Sequence, residues 1–446
     1  MKKFLLNIAA IIFLYVFNFF TVQHAESRSD HTFHYFGSLN PVGSGARALG
    51  TGGAFIASVD DATAASWNPS GAIQLEKSEI SMVYSLDRKN HKFLFNNNNY
   101  PSDNFTINLN ELNFMSMAYK SFWYQRDFVL SLSFQNMYDL NKEQHSIYSS
   151  HQTMINNFIN NSGNIKAITP SFAFQLTPEL SMGISLNLFS DKWGCHWQTY
   201  YSNQADTRPY GNNWWSNSIY KNEYRFKGKN FHIGFLIALS QSLNLGLVYK
   251  TPFTADLDFQ EQYQITGSHQ NKPLKIYPKE SLQLKMPQSY GIGISWRPDY
   301  INFRDTLTLA LDIYRTDWQH YYLRHPDGYE ENLYSNAPRS ECNTRPTYQV
   351  RIGGEYWYFS KSKEYGIPFR MGAFYDPEPT AFKPDDFWGI SLGTGFLKGN
   401  LAFDIAWQFR WGNNVREQRI IDENVSQNIR QHTINCSIIY YFETDR

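Results

Sequence analysis

A glycine-rich run is the first place in this chain where chemistry could sit. Gly43 to Gly71 reads GSGARALGTGGAFIASVDDATAASWNPSG, almost wholly Gly, Ala, Ser and Thr around Arg47, Leu49, Phe55, Ile56 and Trp67. A phosphate-cradling loop needs a Lys-Ser/Thr pair after its last glycine, and a dinucleotide fingerprint needs G-x-G-x-x-G behind an apolar strand. Here Gly50, Gly52 and Gly53 lead into Ala54-Phe55 with no apolar strand before them. The spacing therefore gives no support to a nucleotide site. Other reaction signatures are missing as well: there is no G-x-S-x-G elbow, no H-E-x-x-H, and no Cys/His spacing for a metal. The sequence reads as a non-enzyme with no cofactor and no metal.

Two sets of residues could bind a ligand instead. Lys250, Arg297, Asp312, Arg351, Glu355, Arg370, Asp404 and Arg410 are charges set within otherwise alternating apolar segments. An Arg or Lys among them could hold a carboxylate by charge-assisted hydrogen bonds. The bland reading is an internal ion-pair network, and Asp312, Arg351, Glu355 and Arg370, on successive segments, with Asp404 suit it. Lys250 and Arg410 have fewer obvious partners and are the better carboxylate candidates. The second set is aromatic: Trp193, Trp197, Trp214 and Trp215 stand in a polar connection with five tyrosines. These rings are either a capture surface for hydrophobic ligands or packing for the loops themselves, and the two are compatible.

The elements that position these residues have a period of two. Leu307, Leu309, Leu311 and Ile313 alternate with Thr308, Ala310, Asp312 and Tyr314; Leu401, Phe403, Ile405, Trp407 and Phe409 alternate with Ala402, Asp404, Ala406, Gln408 and Arg410. Such alternation marks strands with one greasy and one small or polar face. It recurs about fourteen times from Ser78 to Phe442, an even number as expected of a bacterial membrane barrel. Tight turns such as Lys398-Gly399 alternate with long polar connections: 87–110, 139–165, 193–222, 264–281, 321–344 and 412–428. That rhythm fits an outer-membrane barrel, with lipid outside and the charges facing the lumen. Tyr119, Trp123, Tyr249, Trp296, Tyr440 and Phe442 fall near strand ends, where amphipathic rings favour the interface.

Composition agrees. The chain has 446 residues, 40 basic and 40 acidic, so nothing suggests a nucleic-acid partner. Aromatics make up 17% although the mean hydropathy is negative. Residues 1–25, with Lys2 and Lys3 before an apolar run, read as an export signal, or else as an anchoring helix. Three cysteines are too few for a disulfide framework. Cys195 and Cys342 either pair or stay free.

The 43–71 stretch looks poor as a core of its own and better suited to filling a space that something else encloses. Ser58 and Asp61 are expected to form a capping box for one short helix. Asn68-Pro69-Ser70 reads as an extended or turn segment.

The motifs together resemble the FadL/TodX family of outer-membrane transporters for long-chain fatty acids and other hydrophobic compounds. The resemblance rests on Gly45-Ala46-Arg47-Ala48-Leu49-Gly50-x-Gly52-Gly53-Ala54-Phe55, on Asp60-Asp61-Ala62-Thr63-Ala64-Ala65-x-Trp67-Asn68-Pro69, and on Met286-Pro287-Gln288-Ser289-Tyr290-Gly291 with later matches at Gly353-Gly354-Glu355-Tyr356 and Arg370-Met371-Gly372. It implies an all-β, transmembrane antiparallel β-barrel of fourteen strands over 78–446, plugged by a hatch over 26–77 that includes Gly45, Arg47, Gly50, Gly52, Gly53, Phe55, Asn68, Pro69 and Ser70. Ser70 replaces the family's Ala. The resemblance further implies a monomer in contact with outer-membrane lipids. Its hydrophobic or amphipathic ligand would be caught by the outer loops, held in an apolar pocket above the hatch and released sideways. A PorV-like component of a secretion system is the alternative on the same fold.

Overall fold

The computed structural model describes residues 43–443 except 96–103, 151–152, 194–196, 209–210, 212, 269–270, 299–304, 335–337, 342–343, 361, 363, 381–382 and 416–424. The export signal, residues 26–42 of the expected hatch, and both Cys195 and Cys342 lie outside the described residues. Cys436 is a free thiol.

Alternation becomes strand after strand. The barrel consists of β1 (Ser78–Phe95), β2 (Asn104–Trp123), β3 (Arg126–Asp139), β4 (Asn164–Gln175), β5 (Leu180–Ser190), β6 (Trp215–Ala238) and β7 (Leu243–Lys250). It continues through β8 (Ser289–Trp296), β9 (Thr306–Thr316), β10 (Thr347–Phe359), β11 (Tyr365–Tyr375), β12 (Phe387–Lys398), β13 (Leu401–Val415) and β14 (Val425–Phe442). Each pairs antiparallel with the next, and β1 pairs with β14 from Ser78–Phe442 to Phe95–Val425, so no edge is left open. This is a closed fourteen-stranded barrel. On β8, Tyr290, Ile292, Ile294 and Trp296 are exposed outward while Ser289, Gly291, Gly293 and Ser295 are buried inward. No described helix is long and apolar enough to cross a membrane.

Tight turns gather at the end of the barrel that carries Ser78 and Phe442. Between β2 and β3, Tyr124 and Gln125 both take positive φ (46° and 61°), as a two-residue hairpin of matching twist requires. At the opposite end the long connections are not irregular, contrary to expectation. Their strands Thr153–Ser162, Trp197–Asp206 and Phe253–Gly267 join the upper part of β6 in a sheet that rises above the barrel. Several expected loop limits also shift, since β1 runs to Phe95 and β2 begins at Asn104 rather than the chain leaving the sheet at Asp87. Above the lipid band both faces of a strand are polar, so the contrast that marks a strand fades. Inside this end sits an aromatic core in which Trp197 stacks on Tyr224 at 4.6 Å and Tyr224 on Phe259 at 5.3 Å.

Candidate ligand chamber and plug

Residues 43–75 lie within the lumen. Their small side chains form only short elements: α1 (Ala46–Gly50), α2 (Ala64–Trp67) and a 3-10 turn over Pro69–Gln74. The expected capping box is not formed. Helix α2 starts later, with Thr63 at its N-cap, Asp61 accepts from the Thr63 amide at 2.9 Å, and the Ser58 hydroxyl donates to the Ala54 carbonyl at 3.3 Å. Asn68 is extended, as a residue before proline should be, and caps the 3-10 turn through Ser70.

Backbone-to-wall bonds fix this plug. Asp312 on β9 accepts the amides of Phe55 (2.6 Å) and Ile56 (2.8 Å), and Glu79 on β1 accepts that of Ala62 (2.7 Å). Ser437 accepts from the Ala46 amide at 2.9 Å, while Ser391 donates to the Gly50 carbonyl at 2.9 Å and Ser295 to that of Ala57 at 3.1 Å. The wall meets this backbone with glycines of its own: a Cβ at Gly183 would strike Pro69, and one at Gly234 would strike Asn68. Gly52 takes φ 67° with an added Cβ only 3.1 Å from the Ala373 nitrogen, so the close approach is mutual.

A chain of buried charges joins plug to wall. Arg47 forks onto Glu355 of β10 through Nε (2.8 Å) and Nη2 (2.6 Å), and its Nη1 donates to Asp60. Arg370 of β11 donates to Glu355 at 2.5 Å and to Asp404 of β13 at 2.6 Å. Arg297 reaches Asp60 only at 3.9 Å. The expected lumen network is thus divided. Glu355, Arg370 and Asp404 belong to it, and Arg47 and Asp60 of the plug extend it. Asp312 binds plug amides instead, and Arg351 donates to the Gly52 carbonyl at 3.2 Å and lies 3.7 Å from Asp376.

Beside the plug lies a chamber of about 210 Å³, bounded by Gly43, Leu49, Gly53, Ser66 and Trp67 from the plug. Its walls are mixed, with charged side chains beside Leu49, Trp67, Met137, Tyr314 and Phe374, where the resemblance implies an apolar pocket. Asp87, Lys89, Glu111 and Asp139 line one side, and Lys250, Arg351 and Arg410 line other parts. Arg410 corrects an expectation: its Nη2 donates to Glu378 at 2.8 Å, Asp376 is 3.4 Å away, and the guanidinium covers Phe387 at 3.8 Å. Those carboxylates come from beyond the end of β11, where alternation predicts nothing. Lys250 has no carboxylate within 4.0 Å among the described residues and stands 5.7 Å from the centre of the Tyr314 ring.

The four tryptophans do not act as one group. Trp197 is 1% exposed and belongs to the aromatic core, donating to Asn161 at 3.1 Å. Trp193 and Trp215 are half-buried, Arg208 lying over Trp215 at 5.6 Å, and Trp214 is exposed. Sequence reasoning missed Asp87, Lys89 and Asp139 because it placed them in loops, and Glu111 because it stood at the first position of an expected strand. The alternation Ser85, Asp87, Lys89 was the available signal.

The family model described as outer membrane protein transport protein (OMPP1/FadL/TodX) matches residues 39–429. A FadL homologue from Pseudomonas aeruginosa superposes with a TM-score of 0.62 at 14% identity, covering 92% of this chain and 100% of its own. The toluene transporter TodX of P. putida gives 0.58 at 14% identity, over 90% and 99%. The monoaromatic hydrocarbon channel CymD gives 0.57 at 15% identity, over 92% and 100%. At these identities the likeness to solved structures shows the fold alone. No curated protein sequence matches the chain significantly.

Proposed function

Because the chain belongs to the OMPP1/FadL/TodX family of outer-membrane transport proteins, we propose that it takes up an amphipathic small molecule by passive diffusion gated by movement of the plug. The observation that carries this reading is the plug itself. It is held by hydrogen bonds and a chain of ion pairs, which can be exchanged for water or ligand one at a time. Beside these bonds is an apolar cluster of Phe55, Val59, Ile73 and Leu75 with Ala118, Val129 and Ala173 of the wall, and the plug borders a chamber that its own residues help to line.

The ligand would enter past the aromatic core and lodge its polar end in the chamber. Lys250 is the cation placed to receive an acidic group there, and Arg410, already paired, is not. Release sideways is supported near Pro170 of β4. Proline cannot donate to the sheet, and pairing of β4 with β5 lapses between Ile168–Leu188 and Ser171–Ser185. The 3-10 turn of the plug packs against β4, β5 and β6 at this side of the wall. The role of the plug as a hatch and the exposed Trp214 as a first contact for ligand belong to the same proposal.

Uptake tests it. Cells lacking the protein and complemented cells are given labelled fatty acids, zwitterionic amphiphiles and alkylbenzenes. Faster uptake of at least one class on complementation is expected; equal uptake of every class would refute transport.

A further inference from the structure

The chamber has two poles, and they are chemically distinct. On three adjacent strands, β14, β1 and β2, it presents acceptors: Asp87 and Glu111, with Asn435 and Asn113 beside them. Glu111 is held by the amides of Asn136 (2.5 Å) and Asn164, and Asp87 by Ser85 (3.0 Å), Gln431 and Thr433, so neither has a cation within 4.0 Å among the described residues. Of the lysines nearby, Lys89 is bound to Asp139, and Lys166 on β4, paired in register with Asn136, acts on Glu111 from a distance. Asn113 and Asn435 are each only 1% exposed, yet the Oδ1 of each has no hydrogen-bond partner among the described residues. Buried acceptors without partners are costly, so two such oxygens on side chains that border the chamber mark where a donor belongs.

The other pole presents donors. Among the described residues, Lys250 on β7 has no carboxylate partner, and the hydroxyl of Tyr314, 5% exposed, also lacks a hydrogen-bond partner. Lys250 further lines a small neighbouring cavity together with Met137, Tyr138, Met286 and Trp318, and these four belong to the aromatic core above. This cavity of about 30 Å³, which Asn230, His232, Ser289 and Thr316 also line, lies between the cationic pole and the aromatic core. At about 210 Å³ the chamber falls below the roughly 300–1,000 Å³ that encloses a whole drug-sized ligand, and suits a head group.

We propose that the chamber between Asp87, Glu111, Asn113 and Asn435 on one side and Lys250 and Tyr314 on the other binds the head group of a single-chain zwitterionic amphiphile, with its primary ammonium at the acceptor pole, its anionic group at Lys250 and its chain in the aromatic core. A primary ammonium fits because it brings three N–H donors to four acceptor groups, which a quaternary ammonium cannot do. A bare hydrocarbon gains nothing there, since it leaves every one of these groups unsatisfied. The proposal rests on the transport reading above and names its ligand class.

Binding to the full-length protein in maltoside detergent tests it, using tryptophan fluorescence and lysophosphatidylethanolamine, lysophosphatidylcholine, a fatty acid of the same chain length, and toluene. The expected order places lysophosphatidylethanolamine first, about tenfold tighter than the quaternary analogue. Glu111→Gln should cost the ethanolamine lipid about tenfold and leave the fatty acid unchanged, while Lys250→Gln weakens both. Asn113→Asp, which adds a carboxylate, should tighten the ethanolamine lipid selectively. Heat-modifiable migration of each variant reports that the barrel is intact. If the fatty acid or toluene binds as tightly as the ethanolamine lipid, or if Glu111→Gln and Asn113→Asp treat all ligands alike, the zwitterion assignment is wrong although transport stands. If none of the four binds, and complemented cells also take up none, the transport reading falls with it.

Discussion

Arg47 of the plug grips Glu355 of the barrel wall in a two-pronged pair, Nε to Oε2 at 2.8 Å and Nη2 to Oε1 at 2.6 Å, and Glu355 is shared with Arg370. One carboxylate thus binds a guanidinium of the luminal segment and one of the barrel wall at once.

Removing that carboxylate leaves two guanidiniums facing each other. Glu355→Gln should destabilise the plugged state by roughly 3–5 kcal/mol, the cost of breaking a buried pair. The double variant Arg47→Met/Glu355→Leu should cost less than either single change. Temperature-dependent gel migration measures stability, and sensitivity to large antibiotics measures leak through the lumen. A single variant with wild-type values on both would refute the tie.

Asp312 acts on backbone, so its loss should be local. Asp312→Asn exchanges two charge-assisted bonds for at most one neutral acceptor pair, a change of about 1.5–3 kcal/mol. Hydrogen exchange should quicken at Phe55 and Ile56 and stay unchanged at Ala62, which Glu79 holds. Equal quickening at all three would mean that the plug moves only as a unit.

Gly52 admits no side chain. Gly52→Val faces both a left-handed φ of 67° and wall atoms at 3.1 and 3.2 Å. The displaced backbone would intrude on the chamber that Gly53 lines, so uptake should fall while heat-modifiable migration persists. Normal transport by this variant would argue against the plug as the gate.

Acid should reach the hairpin of Tyr322–Arg324 and Glu330–Asn332, in the connection after β9, late. Glu330 accepts from Arg339 at 2.8 Å and from Arg324 Nε at 3.0 Å, and these hydrogen bonds, that of Arg339 first, hold its carboxyl below the usual glutamate range. With the folded value depressed, the contribution is present at neutral pH and is lost as pH falls through that lowered value. Amide exchange over Glu330–Asn332, corrected for its intrinsic pH dependence, should stay flat down to the ordinary glutamate range and rise in stronger acid. An earlier rise would show that the arginines do not hold Glu330.

The barrel was legible in the sequence because lipid imposes a strict contrast between faces. Leu307, Leu309, Leu311 and Ile313 against Thr308, Ala310 and Asp312 determine strand, face and register at once. The plug was legible through what it lacks, since Gly50, Gly52 and Gly53 leave room only for backbone contact. Three features were not legible. Asp312 bonds to amides whose position depends on the plug's own path. Arg410 finds Asp376 and Glu378 in a connection with no periodicity. Asp87 falls in a run, Asp87-Arg88-Lys89-Asn90, that is polar on both faces, so a strand there reads like a loop, and Glu111 pairs with Ser85 across a register that the sequence does not show.

The wall glycines that touch the plug bear on biogenesis. The plug precedes β1 in the chain, yet its partners Glu355, Arg370 and Ser391 lie on β10 to β12, synthesised near the end. Gly183 and Gly234 leave no clearance for threading a segment into a finished cylinder. Residues 43–75 are therefore expected to lie against a still-open sheet before the seam between β1 and β14 closes around them. A seam that closed before they were in place would shut them out of the lumen.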